Sequence, residues 1–184
     1  MKHMKKFMAL FAALALVLTM AIPAMAAKVD VSSHKFEAYQ IFTGTMENGK
    51  MKNVSWGTDV DGAAILAELK TDAITSSDFD ATVTTASKVA EVLSTWSSET
   101  NPKTLQFAKI VARHLKSTAV PVTGTNGQIA FSDTGYYLVV DTTDTTDAAD
   151  AKNLTLLSVA EAGKTVTIKA KGEYPTVEKK VKEL

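Results

Sequence analysis

Hydrophobic and polar positions change their period several times along the chain. An apolar run, FMALFAALALVLTMAI, fills residues 7–22. Residues 28–43, KVDVSSHKFEAYQIFT, then mix β-branched and aromatic side chains in partial alternation, which predicts one or two strands. Gly44 and Asn48-Gly49 supply turn chemistry, and residues 52–56, KNVSW, resume a short strand.

After Gly57 the spacing becomes helical. AAILAELK puts Ile65, Leu66 and Leu69 on one face. Thr85 is placed to cap ASKVAEVLSTW, whose apolar positions are Val89, Val92, Leu93 and Trp96. Asn101-Pro102 opens a third helix, KTLQFAKIVARHL, with a stripe of Leu105, Ala108, Val111, Ala112 and Leu115. From Gly127 the period returns to two. QIAFSDTGYYLVVDTT reads as two strands around Asp133-Thr134-Gly135, and NLTLLSVAEAGKTVTIKAK as two more around the turn 161–164. Successive hairpins of this kind predict an antiparallel sandwich, with the helices of about residues 61–117 inserted on one side of a β core.

The apolar run has a charged entry at Lys2, Lys5 and Lys6 and a small-residue exit, Pro23-Ala24-Met25-Ala26. That order is a secretory signal, so residues 1–26 are expected to be cleaved between Ala26 and Ala27 and the chain exported. The membrane is then met only in transit. The leader holds three of the 20 basic residues and none of the 20 acidic ones, which leaves a slightly acidic remainder with no basic stripe for nucleic acid. There is no cysteine, so an exported fold must rely on packing, metal or another covalent link.

Five stretches in this order, KFEAYQIFTG, NVSWG, FAKIVARHL, DTGYYLVVDTT and VTIKAKGEYPTVEKKV, resemble the N-terminal domain of Gram-positive shaft pilins. These are the sortase-assembled, isopeptide-forming fimbrial subunits, and the likeness spans residues 36–181. It implies a mainly β fold, an antiparallel Ig-like (CnaB-like) sandwich over residues 27–172, and a structural rather than enzymatic role at the cell surface or wall. It also implies neighbouring subunits as covalent homopolymer partners, a pilin sortase that joins them, and host surface ligands as further partners. The family joins subunits through a lysine after the last strand of this domain, commonly in a YPK-like motif. Lys171 falls at that place, with Lys169 as its competitor. Ala170 stands where proline is expected, and Thr176 follows Tyr174-Pro175 in place of the lysine. Residues 173–184 resemble the linker and first strand of a second domain, where Lys179 or Lys180 is the candidate for an internal Lys–Asn amide. The sequence contains no asparagine after Val177 to complete that bond. The alternative reading is a secreted adhesion or ligand-binding module that does not polymerise.

The physical reading of the lysines is looser. An amine attacks an acyl group only when deprotonated, and an exposed one is protonated at neutral pH, so an acceptor needs exposure to a group that removes its proton. Solubilising charge on strand faces is the ordinary role of such residues. Within the first domain Lys28 or Lys35, Asn153, and Asp141 or Glu37 can be imagined as an internal cross-link, but none is expected to form. No cofactor or metal is expected either. The spacing of Asp141, Asp144, Asp147 and Asp150 lacks the alternating oxygen ligands and glycine of a calcium loop. The histidines, His3, His34 and His114, do not form a catalytic set, and His114 reads as a residue of the helix surface or core edge. Trp56, Trp96, Tyr136 and Tyr137 are assigned to the core rather than to a sugar-binding platform. Alternation should turn one tyrosine inward and the other outward.

Overall fold

The computed structural model describes residues 34–47, 50–96, 101–150 and 154–168. It is mainly β: a curled antiparallel sheet with three helices against one face. The strands are β1 (Lys35–Glu47), β2 (Lys50–Trp56), β3 (Val122–Thr125), β4 (Gln128–Phe131), β5 (Gly135–Asp141), β6 (Leu154–Val159) and β7 (Lys164–Thr167). The helices α1 (Gly62–Leu69), α2 (Ala86–Ser94) and α3 (Pro102–Arg113) all fall between β2 and β3.

Strand order is β6-β5-β1-β3-β4-β7, with β2 also paired to β1. β1 is long enough to serve two partners on one side, β3 along residues 35–38 and β2 along residues 42–47. Two register shifts interrupt it, one against β5 between Gln40 and Phe42 and one against β2 between Thr43 and Thr45. Gly44 therefore lies in a bulge inside β1, not in a turn. A Cβ there would stand 2.6 Å from the Lys52 carbonyl oxygen, which explains glycine at that point.

The expected hairpins are rearranged. β4 does not pair with β5, nor β6 with β7; β4 pairs with β3 and β7, and β5 with β1 and β6. The connections nevertheless stay short. In a flat sheet β6 and β7 would lie five strand spacings apart, about 24 Å. The link from Val159 to Lys164 spans at most about 18 Å. The sheet must curl so that β4 and β7 come round opposite β5 and β6. Phe36, Ala38, Ile129, Phe131, Tyr137, Val139, Val159 and Ile168 fill the inside of that curl. The Phe131 and Tyr137 rings meet there with centroids 4.7 Å apart.

The outer face lies under the helices. Thr85 caps α2 through Lys88 N, and Asn101 caps α3 through Lys103 N with Pro102 behind it, as expected. Ile65 and Leu69 of α1 and Val89 and Leu93 of α2 are buried as expected, with Leu66 and Val92 at the margin. The α3 stripe is rotated from expectation: Leu105 is 47% exposed, while Phe107 and Ile110 are fully buried beside Val111. Phe42 is the hub of this layer, 5.0 Å from Trp56, 6.0 Å from Tyr136 and 6.4 Å from Phe107, measured between ring centroids.

Covering both faces makes β5 buried along its whole length. Tyr136 and Tyr137 do take opposite faces, but neither points to solvent; one enters the helical layer and the other the curl. A sugar platform built on that pair is overturned.

Candidate functional site at the end of the last strand

The starts of β1 and β4 and the ends of β3, β5 and β7 gather at one end of the curl. The pairs Lys35 with Thr125, Phe36 with Asp141, and Gln128 with Thr167 fix this arrangement. The β3–β4 turn there is Asn126-Gly127, both at positive φ (55° and 73°), the twist that a two-residue hairpin requires. β3 itself was not read from the sequence, although this Asn-Gly pair signals it.

β7 leaves the body at this end. Its last pair is Thr167 with Gln128, and the Ile168 amide then donates to the Gly127 carbonyl at 2.7 Å, with the Ile168 side chain buried inside the curl. Ile168 is thus pinned by backbone and side chain, and Lys169 follows it in sequence. Lys169, Lys171, Lys179 and Lys180, the leader junction Ala26-Ala27, and Lys28 and Asn153 lie outside the described residues.

At the same end of the sheet, where β1 starts and β5 ends, stands a pair that sequence reasoning missed. The His34 ring nitrogen Nδ1 lies 2.6 Å from Asp141 Oδ2. The Thr143 hydroxyl and amide both donate to Asp141 Oδ1, at 2.6 Å and 3.0 Å. Burial acts to raise the Asp141 carboxyl. The hydrogen bonds from the Thr143 hydroxyl, His34 and the Thr143 amide outweigh it and hold the group below the usual carboxylate range. The Lys35 amide donates to Thr143 Oγ1, and the Thr142 amide to the Lys35 carbonyl, so the two strand ends are laced together. His34 also stacks on Phe36, centroids 6.1 Å apart, and keeps 21% of its side chain exposed. A sequence separation of 107 hides this pair from local pattern. The only trace is alternation, which puts Phe36 and Ala38 on one face of β1 and Tyr137, Val139 and Asp141 on the matching face of β5.

The other candidates disperse. His114 closes α3 as its C-terminal cap, with Nε2 2.6 Å from Glu68 Oε2 on α1. Arg113 pairs with the other oxygen of that carboxylate, and its hydrogen bond is the main cause holding Glu68 below its ordinary value. Glu37 accepts from the Tyr39 hydroxyl at 2.6 Å. Asp147 accepts from the Ala149 amide in a 3-10 turn, away from Asp141. Among the described residues no group of three or more His, Cys, Asp or Glu is placed to hold a metal ion, and no helix is long and apolar enough to cross a membrane. A shallow cleft opens between the end of α3 and residues 146–149, lined by Tyr39, Leu115, Lys116, Asp147 and Ala148 among others.

Comparison with protein-family models, curated proteins and solved structures returned no match.

Proposed function

We propose that this chain is the N-terminal part of a structural subunit of a covalently polymerised surface pilus, acting as the substrate of a pilin sortase and not as an enzyme. On this reading the curled sheet is an Ig-like β-sandwich of the CnaB type, folded over the aromatic cluster at Phe131 and Tyr137, and the helices are an insertion into it. Export across the membrane precedes assembly at the cell wall of a Gram-positive bacterium.

The observation that carries the reading is the exit of β7. The last described strand stops at Thr167, Ile168 is held by Gly127, and a lysine-dense segment, KAKGEYPTVEKK, follows at once. A lysine a few residues past a fixed strand end is presented to a docking enzyme from a defined base, which favours joining by orientation. Lys171 is the proposed acceptor and Lys169 its neighbour in competition. Lys179 or Lys180 is the proposed candidate for an internal Lys–Asn amide.

The test is acyl transfer. The exported chain is incubated with a pilin sortase and a sorting-motif peptide, and the products are mapped by tandem mass spectrometry. The peptide is expected in amide linkage at Lys171. Linkage at Lys169 keeps the function and moves the site. With the enzyme active on a control pilin, absence of linkage at every lysine favours the second reading, a binding module. The observation behind that reading is the cleft beside Tyr39, whose mainly polar lining, with Arg113, Lys116 and Asp147, offers a non-covalent ligand surface.

A further inference from the structure

The polar cleft beside Tyr39 selects for one kind of ligand. We propose that it binds a neutral saccharide; the inference rests on the binding-module reading of that cleft and requires no polymerisation. Its walls are held by their own hydrogen bonds. On one side the segment leaving α3 is tied to residues 58–61. The Asp61 amide donates to the His114 carbonyl at 2.9 Å, the Lys116 amide donates to the Asp59 carbonyl at 2.8 Å, and Leu115 bridges Val60. On the other side the Asp147 amide donates to Thr145 Oγ1 at 3.1 Å, and Asp147 Oδ1 accepts from the Ala149 amide at 2.8 Å. The half-buried Tyr39 lines the same cleft, and its hydroxyl donates to Glu37 Oε2 at 2.6 Å, which fixes the ring. Walls fixed in this way lose little freedom when a ligand arrives.

The groups left open are donors and acceptors together. Lys116 Nζ donates to the Thr58 carbonyl at 3.0 Å and keeps two further N–H groups, with no carboxylate partner among the described residues. Asp147 Oδ2 and the hydroxyls of Ser117 and Thr146 have no partner among the described residues either. Lys116 and Asp147 thus line one cleft without pairing, while Arg113 is occupied by Glu68.

This lining decides the class of ligand. One open cation and one open anion balance, so neither a simple anion nor a simple cation is favoured. A free amino acid matches both charges, but exposed ion pairs contribute little in water. A mainly polar lining gives an apolar ligand little to bury against. A sugar hydroxyl donates and accepts at once, so a ring of hydroxyls engages the ammonium, the carboxylate and the Ser117 and Thr146 hydroxyls together. The C–H face of a pyranose also packs on an aromatic ring such as Tyr39. The volume, about 840 Å³, lies within the range of small-ligand sites. Unlike the buried Tyr136 and Tyr137, Tyr39 sits at the margin of the helical layer, where a ligand can reach it.

The test is a titration of the isotope-labelled exported chain with lactose, maltose, cellobiose and chitobiose, followed through its amide chemical shifts. Glucuronic acid and free alanine are the charged comparators. At least one neutral disaccharide should shift the amides of residues 113–119 and 146–149 saturably. Asp147→Ala should weaken that binding about tenfold, the scale of a lost hydrogen bond to a charged group. Thr146→Val should weaken it too, and Asp147→Asn, which keeps an acceptor, should lose less than Asp147→Ala. No cleft shift with any of the four sugars overturns the proposal. Cleft binding of glucuronic acid or alanine with the neutral sugars inert overturns it as well, as does sugar binding that Asp147→Ala and Thr146→Val both leave unchanged. Saturable sugar shifts at other residues overturn this site and keep the binding-module reading. Silence everywhere, from sugars and comparators alike, overturns that reading with it.

Discussion

Gly62→Ala sets two effects of opposite sign against each other at the start of α1. Alanine is the better helix former, by at most about 1 kcal/mol, and less at a first position than in a helix interior. The structure opposes it. A Cβ on Gly62 would lie 2.2 Å from Trp56 Cγ, 2.3 Å from Cδ2 and 2.5 Å from Cδ1. These are atoms at the root of the indole, so the ring cannot swing clear at its far end; χ1 or the backbone must move. Moving the ring also disturbs the Trp56–Phe42 contact at 5.0 Å and, through Phe42, the contacts to Tyr136 and Phe107. Overpacking of this kind costs about 1–3 kcal/mol. The net expectation is a loss of about 1–2 kcal/mol, or roughly 2–8 °C in Tm for a domain of this size. Thermal melts of Gly62→Ala alone and in a Trp56→Ala background measure it. The second background removes the clash, so the alanine should there be neutral or stabilising. A raised Tm in the single variant, or an equal loss in both backgrounds, refutes the packing account.

Three other variants probe separate parts of the fold. Tyr137→Phe removes a hydroxyl that donates to the Asp133 carbonyl at 3.1 Å and accepts from the Gln40 side-chain amide at 3.3 Å; a loss of about 1 kcal/mol is expected in urea unfolding. Asn101→Ala removes the side-chain cap on Lys103 N (3.0 Å) and should cost about 1 kcal/mol, with faster hydrogen exchange in the first turn of α3. Asp141→Asn should alter acid stability with a definite sign. The folded carboxyl is held below its ordinary value, so its contribution is fully present above the unfolded pKa, about 4, and is lost as pH falls through the folded value. The gap between native and variant should therefore shrink below about pH 4; urea midpoints that keep a constant gap from neutral pH into that range contradict the assignment.

What the sequence revealed was local. The caps at Thr85 and Asn101 and the buried faces of α1 and α2 follow from spacing alone, because each depends on residues within one or two turns. Leu105 misled the reading of α3, since a helix supports several nearly equivalent stripes; the choice of Phe107, Ile110 and Val111 was made by the sheet beneath. Strand pairing was the weakest reading. Short links such as 132–134, with Gly135 directly after it, and 160–163, with Gly163 in it, look like hairpin turns, yet they carry the chain between opposite leaves of the curl. A turn residue allows reversal but does not say which strand is met afterward. The His34–Asp141 pair depends on that non-local pairing, so nothing in either neighbourhood announced it.

The covering of both sheet faces also decides where chemistry is open to a partner. β5 and the middle of β1 are walled in by helices outside and by the folded-over leaf inside. Side chains there, including the tyrosine pair and the aromatic hub at Phe42, are committed to packing and cannot also bind from solution. Accessible groups are left at the edges and ends of the sheet. At one end of the sheet the partly exposed His34 is braced by the buried Asp141 carboxylate. Bracing a histidine with a buried aspartate is costly unless the ring and its hydrogen bonds repay it, because a buried carboxylate left unpaired is strongly unfavourable. Asparagine or glutamine would lace the same strand ends without a buried charge. Here the Thr143 hydroxyl, the Thr143 amide and the His34 ring nitrogen supply that repayment, at 2.6, 3.0 and 2.6 Å from the Asp141 carboxylate oxygens.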